Sequence, residues 1–239
     1  MKTKLAVFDF DDTIIDRSLE SKKFYALSKL FSNQEFAEEF LANAKNKTIS
    51  FPDQWRTFNE SANVSKEDVH NALQDYGTMV NGMDKVFQKL YDDHFDIILL
   101  TNNHKFIAEP ILANFNLLCY FKEIFARPST LTQDGKVEDF EKVPENWNGC
   151  IDCENEEKFG FCKTVVLNEF INTRGNYDKI MYFGDGINDL CPAMSLGSSD
   201  NIFPRKGFKL EEALLSAKPR AHVKFWSDGF DILNTIEKF

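Results

Sequence analysis

Three carboxylates and a hydroxyl, Asp9, Asp11, Asp12 and Thr13, follow directly on the apolar run Leu5-Ala6-Val7-Phe8. Acids crowded at one point repel one another, so ionising all of them requires a positive partner. Carboxylate oxygens suit a hard divalent cation. Mg²⁺ in particular takes one or two protein carboxylates, keeps several waters and bridges to a phosphate oxygen. The chemistry this stretch points to is Mg²⁺-assisted work on a phosphate. The bland alternative is an acidic junction between a strand and a loop, with no ligand.

Such a cluster needs elements that bring it together. A short apolar run bounded by polar residues reads as a buried parallel strand, and two further segments have the same form. Phe95-Asp96-Ile97-Ile98-Leu99-Leu100 ends at Thr101-Asn102-Asn103-His104, and Lys179-Ile180-Met181-Tyr182-Phe183 runs into Gly184-Asp185-Gly186-Ile187-Asn188-Asp189. Helical spacing of apolar residues marks 86–90, 105–115, the stretch opened by Lys163, 210–216 and the C-terminal residues. Glu123 to Arg127, Ile202 to Pro204 and Val223 to Trp226 read as shorter strands, and Thr132-Gln133-Asp134-Gly135-Lys136 carries a turn signal. Strands alternating with helices predict an α/β fold, a Rossmann-like, mostly parallel sheet flanked by helices, whose ligands bind beyond the carboxyl ends of the strands. The three polar strand ends supply Asp9, Asp11, Thr13, Thr101, Asn102, Asp185, Asn188 and Asp189, and Lys163 adds an ammonium.

Residues 17–79 differ in character. Ser21 to Phe31 and Gln34 to Leu41 repeat apolar residues at helical spacing, and Ser65-Lys66-Glu67-Asp68 opens another helix with an N-cap and early acids. A helical block this long between two strands exceeds a simple crossover. It reads as an inserted helical cap over 17–79, with residues 1–16 and 80–239 forming the α/β core.

At 239 residues the chain is long enough for one domain with an insertion. Its net charge of −10 argues against a nucleic-acid surface, so any phosphate site must carry its own local positive charge. No apolar run reaches membrane-span length, and Met1-Lys2-Thr3-Lys4 leads into a strand rather than a signal-peptide core. The expectation is a cytoplasmic protein whose five cysteines stay reduced. The 24 Phe are many for this length and read as core filling.

The ordered set Asp9-x-Asp11-x-Thr13, Thr101, Lys163 and Gly184-Asp185-Gly186-Ile187-Asn188-Asp189 resembles the haloacid dehalogenase (HAD) superfamily of phosphohydrolases. That resemblance implies a Mg²⁺-dependent phosphatase with a HAD-type core and a cap that closes over a small phosphorylated metabolite. Asp9 would be the nucleophile, forming an aspartyl-phosphate. Asp11 would protonate the leaving group and then activate water. Thr101 and Lys163 would hold the transferring phosphoryl group. Mg²⁺ would be held by Asp9, the main-chain carbonyl of Asp11 and Asp185, with Asp189 in the same metal site and Asn188 close by. Within the superfamily the chain is similar to the phosphoethanolamine/phosphocholine phosphatase family, whose other branch acts on pyridoxal phosphate. This likeness rests on Asp9 to Asp16, on Cys150-Ile151-Asp152-Cys153 leading to Cys162-Lys163, on Asp185 to Pro192, and on Phe203-Pro204-Arg205-Lys206-Gly207. It implies substrate contacts from Glu20, Asn102, Thr13 and Asn188. Asn102 stands where the family commonly has an Asp, and an amide attracts a cationic headgroup less than a carboxylate does. The rivals are a phosphoserine phosphatase-like enzyme and, in another class, a receiver-type module that accepts phosphate without turnover.

Other residues have plainer readings. Cys150, Cys153 and Cys162 have the spacing of zinc ligands, but the sequence offers no evident fourth, and reduced structural thiols are the simpler account. Cys191 beside Pro192 reads as buried and inert. His104 reads as a helix cap or surface residue, Trp55 as core, Arg205 and Lys206 as solvated, Asp12 as a bystander and Asp16 as a local hydrogen-bonding group.

Overall fold

A computed structural model describes residues 3–16, 27–46, 51–62, 64–74, 77–138, 143–150, 160–175 and 177–237, without the side chains of 44–46 and 51–55. The expectations for Glu20, Cys153, the Trp55 side chain and most of the first predicted helix lie outside the described residues.

In chain order the elements are β1 (Lys4–Phe8), β2 (Ile15–Asp16), α1 (Gln34–Asn46), α2 (Phe51–Ser61), α3 (Lys66–Gln74), β3 (Thr78–Met79), α4 (Met83–Asp92), β4 (Phe95–His104) and α5 (Lys105–Asn114). There follow β5 (Glu123–Arg127), β6 (Thr130–Leu131), β7 (Val137–Glu138), α6 (Lys163–Arg174), β8 (Lys179–Gly184), α7 (Leu190–Ser195), β9 (Asn201–Pro204), α8 (Lys209–Ser216), β10 (His222–Val223) and α9 (Gly229–Ile236). The fold is α/β. Six strands form one sheet in the order β10-β9-β8-β1-β4-β5, and every pairing in it is parallel.

The sheet is buried on both faces, which is why its strands read as near-continuous apolar runs. Successive residues of β1 point to opposite faces. Leu5 and Val7 join a cluster with Ile98, Ile180, Tyr182 and Ile202. Ala6 and Phe8 join the other cluster, with Ile97, Leu99, Met181 and Phe183. Each large apolar side chain removed from water in this way contributes about 1.5–3 kcal/mol before the entropy of ordering it. The Phe excess has a specific place here. Phe8 stacks on Phe183 at 4.3 Å between ring centroids, and Phe183 stacks on Phe203 at 4.5 Å, so one aromatic tier crosses β1, β8 and β9 just below their carboxyl ends.

Between β2 and β3 the elements are helices. Phe31 meets Phe36, Phe40 and Phe58 edge-on, forming the apolar centre of this block. Ser65 caps α3 as the sequence predicts: its main-chain N–H donates to Asp68 (2.8 Å), and the Asp68 N–H donates back to the Ser65 hydroxyl (3.2 Å). β2 and β3 pair antiparallel, Ile15 opposite Met79, where the chain enters and leaves the block. The turn signal at 132–136 closes the β6–β7 hairpin. Asn59 of α2 bonds both ways to the Val137 main chain, donating at 2.9 Å and accepting at 2.8 Å.

Two expected elements differ. The strand predicted to end at Leu100 continues as β4 to His104, through a register shift against β5. The last predicted strand is only His222–Val223, because Trp226 turns inward, fully buried, and its indole N–H donates to the Phe203 carbonyl at 2.7 Å.

Candidate active site

From β1 the chain runs outward through β4 and β5 to one edge, then returns through β8 to the other side of β1. The strand order reverses beside β1, and such switch points open the crevice used by ligands. β1, β4 and β8 are in register, Phe8 facing Leu99 on one side and Phe183 on the other, so their carboxyl ends stand level. The Asp9 N–H donates to the Phe183 carbonyl (2.9 Å), fixing Asp9 beside the loop that carries Asp185. The three strand ends do converge.

Lys163 is the hub. It is fully buried as the first residue of α6, and its Nζ lies 2.7 Å from Asp9 Oδ1 and 2.7 Å from Asp189 Oδ1. Asp189 is equally buried, with both oxygens occupied. Oδ1 also accepts from the Tyr182 hydroxyl (2.7 Å), while Oδ2 accepts from the N–H groups of Asp185 (3.1 Å) and Gly186 (3.0 Å). Glycine at 184 makes this possible, since a Cβ there would stand 2.6 Å from the Asp189 carboxylate. Asp9 Oδ1 accepts from Lys163 and from the Phe10 N–H (2.8 Å), whereas Asp9 Oδ2 takes no hydrogen bond among the described residues. Thr13, fully buried, donates to Asp185 Oδ1 at 3.3 Å.

The second strand end divides by the period of two. Thr101 and Asn103 share one direction and Asn102 the other. Thr101 is buried, and its hydroxyl oxygen accepts from the Asn103 N–H (3.0 Å), so its O–H remains to offer a ligand. Asn103 Nδ2 donates to Asp11 Oδ2 at 3.0 Å. Asn102 instead donates to the Phe161 carbonyl (3.1 Å) and accepts from Asn188 Nδ2 (3.1 Å), which joins two of the expected substrate contacts to each other.

The electrostatics call for a cation. Burial first, then the charge of Asp189, pushes Asp9 up to about 7 against the pull of Lys163. For Lys163, burial alone would lower the pKa, but Asp189 and Asp9 outweigh it and raise it. Burial and the Asp189 charge drive Tyr182 well above the usual range, so it stays a donor. One ammonium among the buried carboxylates of Asp9, Asp185 and Asp189 leaves an excess of negative charge, and oxygens of the three lie within 4.8 Å of one another. Hard oxygen donors with surplus negative charge fit a divalent cation of the Mg²⁺ kind.

Several plainer readings need correction. Arg205 is not solvated: it is 8% exposed, donates to the Asp12 carbonyl (2.8 Å), pairs with Asp16 (3.2 Å) and lies over the rings of Phe208 and Trp226. This ties the turn at Asp12, whose φ is 55°, to the start of the helical block, and gives Asp16 the local role expected of it. His104 does precede a helix, but it is fully buried with Nδ1 3.1 Å from the Ser129 hydroxyl, not at the surface. Lys206 is half exposed, near Asp231. Cys191 is partly buried and meets Cys150 and Cys162. The sequence reading missed Asn103, which the longer β4 turns toward Asp11, and Tyr182, which looked like one more apolar strand residue.

The sheet order, the carboxylate cluster around a buried lysine and the helical insertion define a hydrolase of the HAD superfamily. Residues 4–239 match the family model described as "Putative Phosphatase", and the chain belongs to that family. It is 29% identical over 218 residues to the phosphoethanolamine/phosphocholine phosphatase of Gallus gallus, covering 87% of this chain and 76% of that protein. It is 27% identical over 248 residues to the pyridoxal phosphate phosphatase PHOSPHO2 of Homo sapiens, covering 98% and 97%. In fold it is similar to a phosphoserine phosphohydrolase-like protein from Francisella tularensis, with a TM-score of 0.62 at 16% identity over 98% of this chain and 100% of that one. An enzyme of phosphatase type replaces the receiver-type alternative.

Proposed function

We propose that this phosphatase hydrolyses a small phosphomonoester through an aspartyl-phosphate on Asp9. The observation that carries the reading is the placing of Asp9: Oδ1 is held by Lys163 and the Phe10 N–H, while Oδ2 takes no hydrogen bond among the described residues. One oxygen is anchored and the other can attack phosphorus. As the Oδ2–P bond forms, the bond from phosphorus to the ester oxygen breaks, and Asp11 gives that oxygen its proton. Asp11 then takes a proton from water, whose oxygen attacks phosphorus and releases Asp9. Asn103 holds the Asp11 carboxyl in one orientation for both transfers. Lys163 balances the charge of Asp9 and of the transferring group, and the Thr101 hydroxyl donates to a phosphoryl oxygen.

Asp9, Asp185 and the Asp11 main-chain carbonyl would hold Mg²⁺. When bound, the ion supplies charge neutralisation at the phosphoryl oxygens and keeps Asp9 ionised. Asp189, expected among the metal ligands, is better suited to fixing Lys163, because both its oxygens already accept hydrogen bonds.

For the substrate we place pyridoxal phosphate ahead of phosphoethanolamine and phosphocholine. The likeness to the human enzyme extends over nearly the whole of both chains. Asn102 is engaged by Phe161 and Asn188, and it brings no formal charge to hold an ammonium headgroup. The test is initial rates on these three compounds and on phosphoserine, with Mg²⁺ and with EDTA. Turnover of at least one, led by pyridoxal phosphate and lost with EDTA, is expected. A higher kcat/KM on phosphocholine or phosphoserine would reject the substrate assignment, and turnover unaffected by EDTA would reject the metal.

A further inference from the structure

Behind the acidic site lies a second cluster of different chemistry. Cys150, on the segment before α6, Cys162, the residue preceding α6, and Cys191, the second residue of α7, bring their sulfurs together within 4.8 Å. Cys150 Sγ is 3.7 Å and Cys162 Sγ 3.9 Å from Cys191 Sγ. Zinc–sulfur bonds of about 2.3 Å in a tetrahedron place neighbouring sulfurs about 3.8 Å apart, so both separations match one edge of such a site. A disulfide would join only two of the three and leave the third without a purpose.

A second observation points the same way. The hydroxyl of Thr164 is buried against Cys191, and among the described residues it makes no hydrogen bond of good geometry to any group other than that sulfur. Thiolates bound to a metal accept hydrogen bonds from such groups, which orient the sulfur and tune its charge. A thiol in its place offers the hydroxyl a poorer acceptor.

We infer that Cys150, Cys162 and Cys191 form a thiolate site for zinc, separate from the Mg²⁺-type site and structural in role. On binding, each sulfur exchanges its S–H bond for a bond to zinc, three protons pass to solvent, and water can take the fourth position. Soft thiolates select zinc where the hard carboxylates of Asp9 and Asp185 select magnesium, so the two ions sort by donor type. The place of the site gives its purpose. Cys162 immediately precedes Lys163, and Cys191 lies two residues beyond Asp189. The metal therefore clamps together the two segments whose side chains make the buried 2.7 Å ion pair.

The experiment is elemental analysis of the full chain purified in reducing, zinc-replete buffer and desalted, paired with a cobalt titration of the zinc-stripped protein. Wild type and the exposed-thiol control Cys119→Ser should hold stoichiometric zinc. Cys150→Ser and Cys191→Ser should fall by about tenfold or more, and Thr164→Val should weaken zinc binding by about tenfold. Cobalt should give thiolate charge-transfer absorption in wild type, a measurement that needs no variant to fold. Zinc-free wild type with no such absorption overturns the inference, as does zinc retained in the triple variant Cys150→Ser/Cys162→Ser/Cys191→Ser. Metal content is read without any phosphoester, so its failure is distinct from failure of the proposed reaction.

Discussion

Lys163 and Asp189 meet at 2.7 Å with neither side chain exposed to solvent, and the same ammonium reaches Asp9 at the same distance. Removing one member of a buried ion set leaves the others uncompensated, which costs about 3–5 kcal/mol. Lys163→Met should therefore lower stability by about that amount in denaturant titration and reduce kcat by about 10²-fold or more. Adding Asp9→Asn should cost less stability in this background than in wild type. Equal costs in the two backgrounds would mean that Lys163 and Asp9 are not coupled.

The hydrogen bond from Asn103 to Asp11 carries the next expectation. Asp11→Asn removes proton transfer and should lower kcat by about 10²–10⁴-fold. Asn103→Ala leaves the carboxyl in place but unoriented, and should lower kcat by about tenfold with KM little changed. An unchanged kcat would reduce Asn103 to a packing residue.

Asp9 links stability to pH in the metal-free protein. Its pKa is about 7 in the folded chain against an ordinary 3.8. A raised folded pKa means that folding takes up a proton between those values, so this group favours the folded state most at low pH and its contribution is lost as pH rises toward about 7. With EDTA, Tm should fall across that window in wild type and fall less in Asp9→Asn. Mg²⁺ should reduce the slope by favouring the ionised form. A slope identical in the two proteins would place the linkage elsewhere.

Gly184→Ala tests close approach rather than charge. The added methyl would sit 2.6 Å from the Asp189 carboxylate, in a place where that side chain is fixed by Lys163 and Tyr182. Overpacking of this kind costs about 1–3 kcal/mol, and the displaced Asp189 should carry a loss of kcat with it. Wild-type stability and activity in this variant would show that Asp189 can move without consequence.

The acidic strand ends were legible because each is an abrupt change from apolar to polar, and a parallel sheet gathers its carboxyl ends along one edge. Lys163 was legible only through its order among the motifs. Asn103 was hidden by a question of length. With the strand ending at Leu100 nothing distinguishes Asn102 from Asn103, whereas four more residues of extended chain send them to opposite sides. Tyr182 was hidden because its ring serves the core while its hydroxyl serves Asp189. Arg205 depends on contacts across nearly two hundred residues of sequence, to Asp12 and Asp16, that no local pattern announces.

The bond pair between Asn59 and Val137 has a mechanical meaning. The helical block joins the sheet covalently beside the Ile15–Met79 pairing and is fastened again, at the β6–β7 hairpin, by Asn59 and by the Lys66 N–H on the Gln133 carbonyl (3.2 Å). The helices are held along a flank as well, because α3 packs against α5 and shares one apolar cluster with it. The block is thus fastened to the core at its point of entry, along α5 and at the hairpin. Lifting the helices straight away from the sheet would require breaking the Asn59 bonds first.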